Sequence, residues 1–300
     1  MGKNKRQSRK SGGGFKTFFI GIIFVGVILW VAYRYAPQIE RFLEAPTDRW
    51  SEWVSQYLTS NAGRQGVAHY ETLEIPADFT DTRRHTLCEY EGYTVSYNSE
   101  WKIPNWVAYE LTRDELNAQV PRKDDFRPDD NLLVAQASPA DYRRSGFDRG
   151  HMVPAADMRW SATAMSHSFY LTNICPQTPE LNRGDWERLE SKIRDWARKD
   201  SAIVIVCGPL VSPHDTSIGR NGVRVPSAYF KVVVSPYIDT PQGIGFIFAN
   251  DTEYRKMPLY NYAVTIDSIE TLTGIDFFPV LPDDIETSLE ACYSVSAWDW

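Results

Sequence analysis

DYRRSGFDRGHMVPAADMRWSATAMSHSFYLTNICPQTPELNRGDWERLE, residues 141–190, is the stretch from which this chain is read. Within it Asp148, Arg149 and Gly150 run directly into His151. Glycine at 150 permits a close backbone approach or an unusual φ. An imidazole is the side chain best matched to accept a proton near neutral pH. The planar fork of Arg149 is suited to clamp a phosphate. Asn173 and Asn182 supply neutral amide oxygens, which Mg²⁺ accepts as ligands while keeping several waters. Asn182 stands before a helical pattern, and Glu190 lies about two turns further along it. A base, an arginine, a hard-metal ligand and a carboxylate in one short segment suit phosphodiester hydrolysis. Each residue also has an ordinary explanation. A histidine can be a satisfied core residue, an asparagine before a helix an N-cap, and a helical glutamate a solvated charge or an ion-pair partner.

Outward from this segment the chain alternates between strand-like and helical patterns. YTVSY at 93–97 and WVAYEL at 106–111 read as strands, and PRKDDFRPDD between them and His151 reads as a charged loop. DWERLESKIRDWARK at 185–199 carries Trp186, Leu189, Ile193 and Trp196 at helical spacing. Residues 201–206 form an apolar strand expected to stop at Gly208 and Pro209, and Cys207 beside them is expected to be a buried thiol. Residues 230–234 and 245–249 read as two further strands. A short helix over 267–273 is expected to end at Gly274. Strands and helices mix without βαβ regularity, so the class expected is α+β.

The N-terminal end has a different character. Lys3, Lys5, Arg6, Arg9, Lys10 and Lys16 make residues 1–16 a basic tail, and FFIGIIFVGVILWVAY at 18–33 is uncharged up to Arg34. A membrane-spanning helix needs about 20 apolar residues, with about 17 as the lower limit. The expectation is therefore a single transmembrane anchor over 17–35. Its basic end would lie in the cytoplasm and the rest of the chain outside it. A cleaved signal peptide would look similar and would make the protein secreted, although Arg34 fits small-residue cleavage rules poorly. A stalk or linker is expected over 36–70, and the globular domain over 71–300.

A net charge of −7 and a pI near 5.3 argue against a protein that coats nucleic acid by bulk electrostatics. They leave room for an acidic body with a local basic groove. Arg143, Arg144, Arg149, Arg159 and Arg183 are candidates to line such a groove, or are simply solvated surface charges. The four cysteines, Cys88, Cys175, Cys207 and Cys292, have no zinc spacing. Cys88 and Cys292 would be the pair available to bridge in an oxidising compartment.

The motifs in this order resemble the DNA/RNA non-specific endonucleases, a ββα-metal (His-Me finger) family that includes endonuclease G. The family signature DRGH stands here at 148–151. Asn173-x-x-Pro176-Gln177, Leu181-Asn182, Trp186 and Leu189-Glu190 follow it, with NWVAYEL upstream and CGPL, VPSAYFKVV and GIDFFPVLP downstream. The similarity runs from about Tyr90 to Pro282. It implies a central antiparallel sheet flanked by helices. It also implies a magnesium-dependent hydrolase of DNA and RNA with weak sequence preference, leaving 5′-phosphate ends, with Mn²⁺ as a possible substitute. By the same resemblance His151 is the general base, Asn182 the direct Mg²⁺ ligand, and Glu190 the residue that holds the metal's waters. Arg149 contacts the substrate phosphate, and Asn173 orients His151 or those waters. Arg122, with Arg127 as the alternative, stabilises the transition state, and Asp148 orders the loop that carries His151. A homodimer is compatible with the resemblance. A catalytically inactive nucleic-acid-binding protein and a phosphodiesterase for another ester are the rival functions.

Overall fold

The computed structural model describes residues 72–253 and 256–300. The expected tail, anchor and stalk, residues 1–70, lie outside the described residues. Among the described residues no helix is long and apolar enough to cross a membrane.

Three strands open the domain: β1 (Thr86–Tyr90), β2 (Tyr93–Asn98) and β3 (Ile103–Thr112). The charged loop after β3 leads to β4 (Asp148–His151), helix α1 (Ala162–His167) and β5 (Ile174–Gln177). Helix α2 (Trp186–Asp200) follows, then β6 (Ala202–Leu210) and the short β7 (Ser217–Ile218) and β8 (Val223–Arg224). The chain ends with β9 (Ala228–Ser235), β10 (Gln242–Ala249), β11 (Ala263–Val264), α3 (Ile266–Thr273) and α4 (Asp283–Ala291). Seven strands make one sheet in the order β1-β2-β3-β6-β9-β10-β11, antiparallel at every pairing. The α+β class and the central antiparallel sheet are thus as expected.

The sheet is covered on both faces, which is why its middle strands read as unbroken apolar runs. On β6, Ile203, Ile205 and Cys207 point toward Trp186, Leu189, Ile193 and Trp196 of α2. Val204 and Val206 point the other way, into a second core with Ile266, Ile269, Phe277 and Leu289 from the α3–α4 side. The apolar stripe of α2 is almost wholly buried, as its spacing predicts.

Two boundaries differ from the sequence expectation. β6 does not stop at Gly208 but runs to Leu210. Its pairing with β3 ends at Cys207, so Pro209 sits where one edge of the strand is open and a missing N–H is tolerated. A side chain at 208 would come within 2.5 Å of the Asn105 carbonyl, so glycine there allows a close backbone approach. Helix α2 is preceded by a wide turn, Leu181–Asp185, kinked at Gly184. The four cysteines are all free thiols, with Cys175 and Cys207 buried. Cys88 and Cys292 do not bridge: Cys88 is on edge strand β1, and Cys292 follows α4, which packs at β10 near the opposite edge.

Candidate active site

β4 and β5 form a separate two-stranded ribbon, pairing Asp148 with Gln177 and His151 with Ile174. The wide turn and α2 follow β5 directly, so strand, strand and helix bring the 148–190 residues together. Gly150 is required at this crossing. A Cβ there would lie 2.1 Å from Oε1 of Gln177, whose side chain is fully buried.

His151 ends β4. Its imidazole packs against Phe126, tilted at 54°, and perpendicular to Phe169, with ring centroids 5.3 and 5.0 Å away, and its Nε2 is buried without a hydrogen-bond partner among the described residues. Above the same two phenyl rings lie two guanidinium groups, Arg149 4.0 Å from the centroid of Phe126 and Arg122 4.9 Å from that of Phe169. Burial, and then the positive charges of Arg122 and Arg149, push the imidazole pKa down to about 3. The ring is neutral at pH 7, the state a proton acceptor needs. The His151 carbonyl is held from behind by Nε1 of Trp186 at 3.2 Å.

Asp148, at the other end of β4, takes two hydrogen bonds of 2.7 Å from Arg183 and one of 3.0 Å from Nδ2 of Asn182. Burial raises its pKa, but the bonds from Arg183 and Asn182 and the charges of Arg183 and Arg149 outweigh burial and hold the carboxyl below its ordinary value. The carboxylate therefore fixes which way the Asn182 amide faces. Asn182 sits inside the wide turn and does not cap α2, so the capping explanation fails for it. With Nδ2 held by Asp148, Oδ1 makes no hydrogen bond among the described residues and is available to a hard cation.

Arg122, Arg143, Arg149 and Arg183 line a cleft of about 480 Å³ together with Tyr142, Asp148 and Asn182. Arg144 and Arg159 do not line it, and Arg159 instead donates to the Val120 carbonyl. Arg127 is not in the cleft either. It is tied to Asp125 at 2.8 Å and to Ser166, and lies over Tyr170, which favours Arg122 of the two candidates.

Two expected site residues sit in less direct positions. Asn173 is fully buried and does not line the cleft. Its Oδ1 accepts from Val153 N, and its Nδ2 donates to the carbonyls of Val153 and Ser168, all at 2.8–2.9 Å. All three bonds are to backbone, so Asn173 clamps the chain leaving His151, and any orienting of His151 by Asn173 acts through that backbone. Glu190 is buried on α2, 3.8 Å from Nζ of Lys231 on β9. Burial raises the Glu190 pKa to about 7, with the charge of Lys231 opposing.

The donor set fits a hydrated divalent ion better than a carboxylate cage: one free amide oxygen in the cleft, and a carboxylate on the next helix. The one group of three or more His, Cys, Asp or Glu side chains clustered among the described residues is Asp267, Glu270 and Glu290, at α3 and α4. That group belongs to the opposite side of the sheet from α2. Sequence reasoning missed Phe126, Phe169, Tyr142 and Lys231. Only Lys231 left a signal, a single charge inside the apolar run AYFKVVV.

Mouse mitochondrial nuclease EXOG is 33% identical over 227 residues, covering 70% of this chain and 60% of that protein. Human mitochondrial endonuclease G is 35% identical over 202 residues, covering 63% of this chain and 68% of that protein. A chain from the crystal structure of the EndoG/EndoGI complex superposes with a TM-score of 0.63 at 30% identity, over 66% of this chain and 88% of that one. The sequence model of one family matches residues 74–284. This chain belongs to that family, the DNA/RNA non-specific endonucleases.

Proposed function

We propose that this protein is a magnesium-dependent endonuclease that hydrolyses phosphodiester bonds in DNA and RNA without sequence preference, with Mn²⁺ as an alternative ion. One observation carries the reading: a buried imidazole whose Nε2 has no hydrogen-bond partner among the described residues, packed against Phe126 and Phe169, the two rings over which Arg149 and Arg122 lie as they line the cleft with Asn182.

His151 accepts the proton of the attacking water. A phosphate drawn between Arg122 and Arg149 offsets the two positive charges that lower the ring's basicity, so substrate binding itself makes the imidazole a better base. Arg149 and Arg122 neutralise charge that builds on the nonbridging oxygens. Asn182, oriented by Asp148, would ligate the divalent ion and Glu190 would hold its waters; an ion bound there would stabilise charge on the leaving oxygen, and departure of the 3′ oxygen gives a 5′-phosphate product. The cleft offers guanidinium groups suited to phosphate, so contacts to the backbone dominate and sequence preference is weak.

The test is nicking of supercoiled plasmid with Mg²⁺, with EDTA as control and with single-stranded RNA and a small aryl phosphodiester as parallel substrates. His151→Ala is expected to slow cutting at least ~10²-fold. Near-normal cutting by that variant defeats the assignment. Failure of the wild type on both nucleic acids favours the inactive binder, and turnover of the aryl ester alone favours another phosphodiesterase. Asn182→Ala is expected to cut weakly and to recover in part at high Mg²⁺. The apolar run at 18–33 supports a membrane anchor with the catalytic domain outside the cytoplasm. Retention of the full chain in the membrane pellet after alkaline carbonate washing tests that.

A further inference from the structure

Lys231 is a lysine where the fold has no ordinary use for one. It lies in the middle of β9, its side chain is fully buried, and its Nζ has no hydrogen-bond partner among the described residues. Its neighbours on β9, Phe230 and Val232, belong to the apolar core on the other face of the sheet. Lys231 faces α2 instead. There its ammonium is 3.8 Å from Oε1 of Glu190 and 4.2 Å from the ring centroid of Trp186. Trp186 in turn donates from Nε1 to the His151 carbonyl. One buried cation thus touches both residues through which α2 reaches the site.

Stability is a poor reason to keep such a charge. A buried ion is costly to desolvate, and an apolar side chain of similar length in its place is often neutral or stabilising when its partner is also removed. A second buried pair nearby shows what a structural pair looks like here. Asp157 is bonded to Arg194 at 2.9 Å and to the Tyr109 hydroxyl at 2.9 Å, so both its oxygens are satisfied. Lys231 has no such bonds. Its reach is electrostatic only, toward a carboxylate and an indole face.

We infer that Lys231 is a positioning residue for phosphodiester cleavage, its ammonium fixing the Glu190 carboxylate and the Trp186 indole from behind α2. This rests on the reading of His151 and Glu190 given above. Lys231 touches no substrate. It sets where the carboxylate stands and how firmly the indole holds the strand that ends in His151.

The experiment compares full-length wild type, Lys231→Met, Lys231→Arg and the double variant Lys231→Met/Glu190→Gln. Far-UV circular dichroism and thermal melting report folding. Plasmid nicking gives kcat and KM, and calorimetric titration with Mn²⁺ alone, without DNA, reports the ion site apart from activity. Lys231→Met is expected to fold, to keep KM for DNA within about threefold, and to lose at least about tenfold in kcat. Its Mn²⁺ affinity is expected to fall at least about fivefold. Lys231→Arg should recover part of both losses. The double variant should melt at or above the wild-type temperature while remaining as slow as Lys231→Met.

A Lys231→Met enzyme within twofold of wild type in both kcat and Mn²⁺ affinity overturns the inference. So does a loss in KM and melting temperature without change in kcat or Mn²⁺ affinity, which marks a structural lysine. If Lys231→Met does not fold, Lys231→Gln takes its place against the same limits for kcat and Mn²⁺ affinity, because a slow double variant is already expected from the loss of Glu190 itself. A wild type that cuts neither DNA nor RNA refutes the proposed function instead, and the Mn²⁺ titrations still report on Lys231.

Discussion

At His151 two effects act against protonation. Burial removes the water that would solvate an imidazolium, and two guanidinium groups repel it. In the unfolded chain the ring takes a proton near pH 6.5, and in the folded protein only near 3. Between those values the unfolded state binds more protons, so this contribution is complete above pH 6.5 and is lost as the pH falls toward 3. The slope is at most about 1.4 kcal/mol per pH unit. Glu190 acts in the opposite sense. Its raised pKa means the folded state keeps a proton that the unfolded state releases above about 4.5, so its contribution fades as the pH climbs toward 7. Urea denaturation at pH 7 and pH 5 should therefore show wild type losing ground relative to His151→Asn at the lower pH, and an unchanged difference contradicts the buried neutral ring. The arginines separate in the same way. Arg122→Ala removes a guanidinium from the cleft and is expected to lower kcat/KM about 10- to 100-fold, the value of a charged hydrogen bond. Arg127→Ala, which loses only its ties to Asp125, Ser166 and Tyr170, is expected to change kcat/KM less than about threefold.

The β4–β5 ribbon depends on one close approach. Gln177 is fully buried over Gly150 and cannot swing into solvent when a methyl group arrives. Gly150→Ala is therefore expected to cost about 1–3 kcal/mol of stability, as overpacking usually does. It should also reduce nicking, because His151 is the next residue of the strand. Gln177→Ala opens the space, so the double variant should regain much of that stability. A melting temperature no better than that of Gly150→Ala would show that the strain lies elsewhere. The same ribbon carries Asp148, and its bonds to Asn182 and Arg183 join strand and turn. The register of four residue pairs thereby sets the spacing between proton acceptor and amide oxygen.

Over the whole molecule the charge is uneven. The chain is acidic, at −7, yet four arginines line one cleft. Salt screens the attraction at the cleft and, in the opposite sense, the repulsion from the acidic body; counterion release at the contacted phosphates makes the first the larger, so the rate is expected to fall with salt. A plot of log kcat/KM against log salt concentration should slope downward, and Arg143→Ala should flatten it by at most about 1, the share of one phosphate contact on duplex DNA. A slope unchanged in that variant removes Arg143 from the groove. The sheet supplies the rigidity. With helices on both faces, its central strands hold α2 from behind while the ribbon holds it from the front.

Much of this architecture could be read along the chain. The α2 stripe and most strands of the sheet follow from periodicity and apolar runs, because those patterns report burial directly. His151, Arg149, Asn182 and Glu190 were visible because they cluster within one short segment. Tertiary structure alone decided the rest. The ribbon strands, DRGH and ICPQ, are four residues each, too short to show a period. Arg122 and Arg127 are near neighbours in one loop, and only the fold put one over Phe169 at the cleft and the other against Asp125. Asn173 carries a side chain that suits a ligand or a clamp equally, and its three backbone partners decided for the clamp. Lys231, 41 positions beyond Glu190 in the numbering, meets it only because β9 and α2 pack together. Local order is written in neighbouring residues, whereas the meeting of distant side chains depends on how layers of the sheet and helices stack.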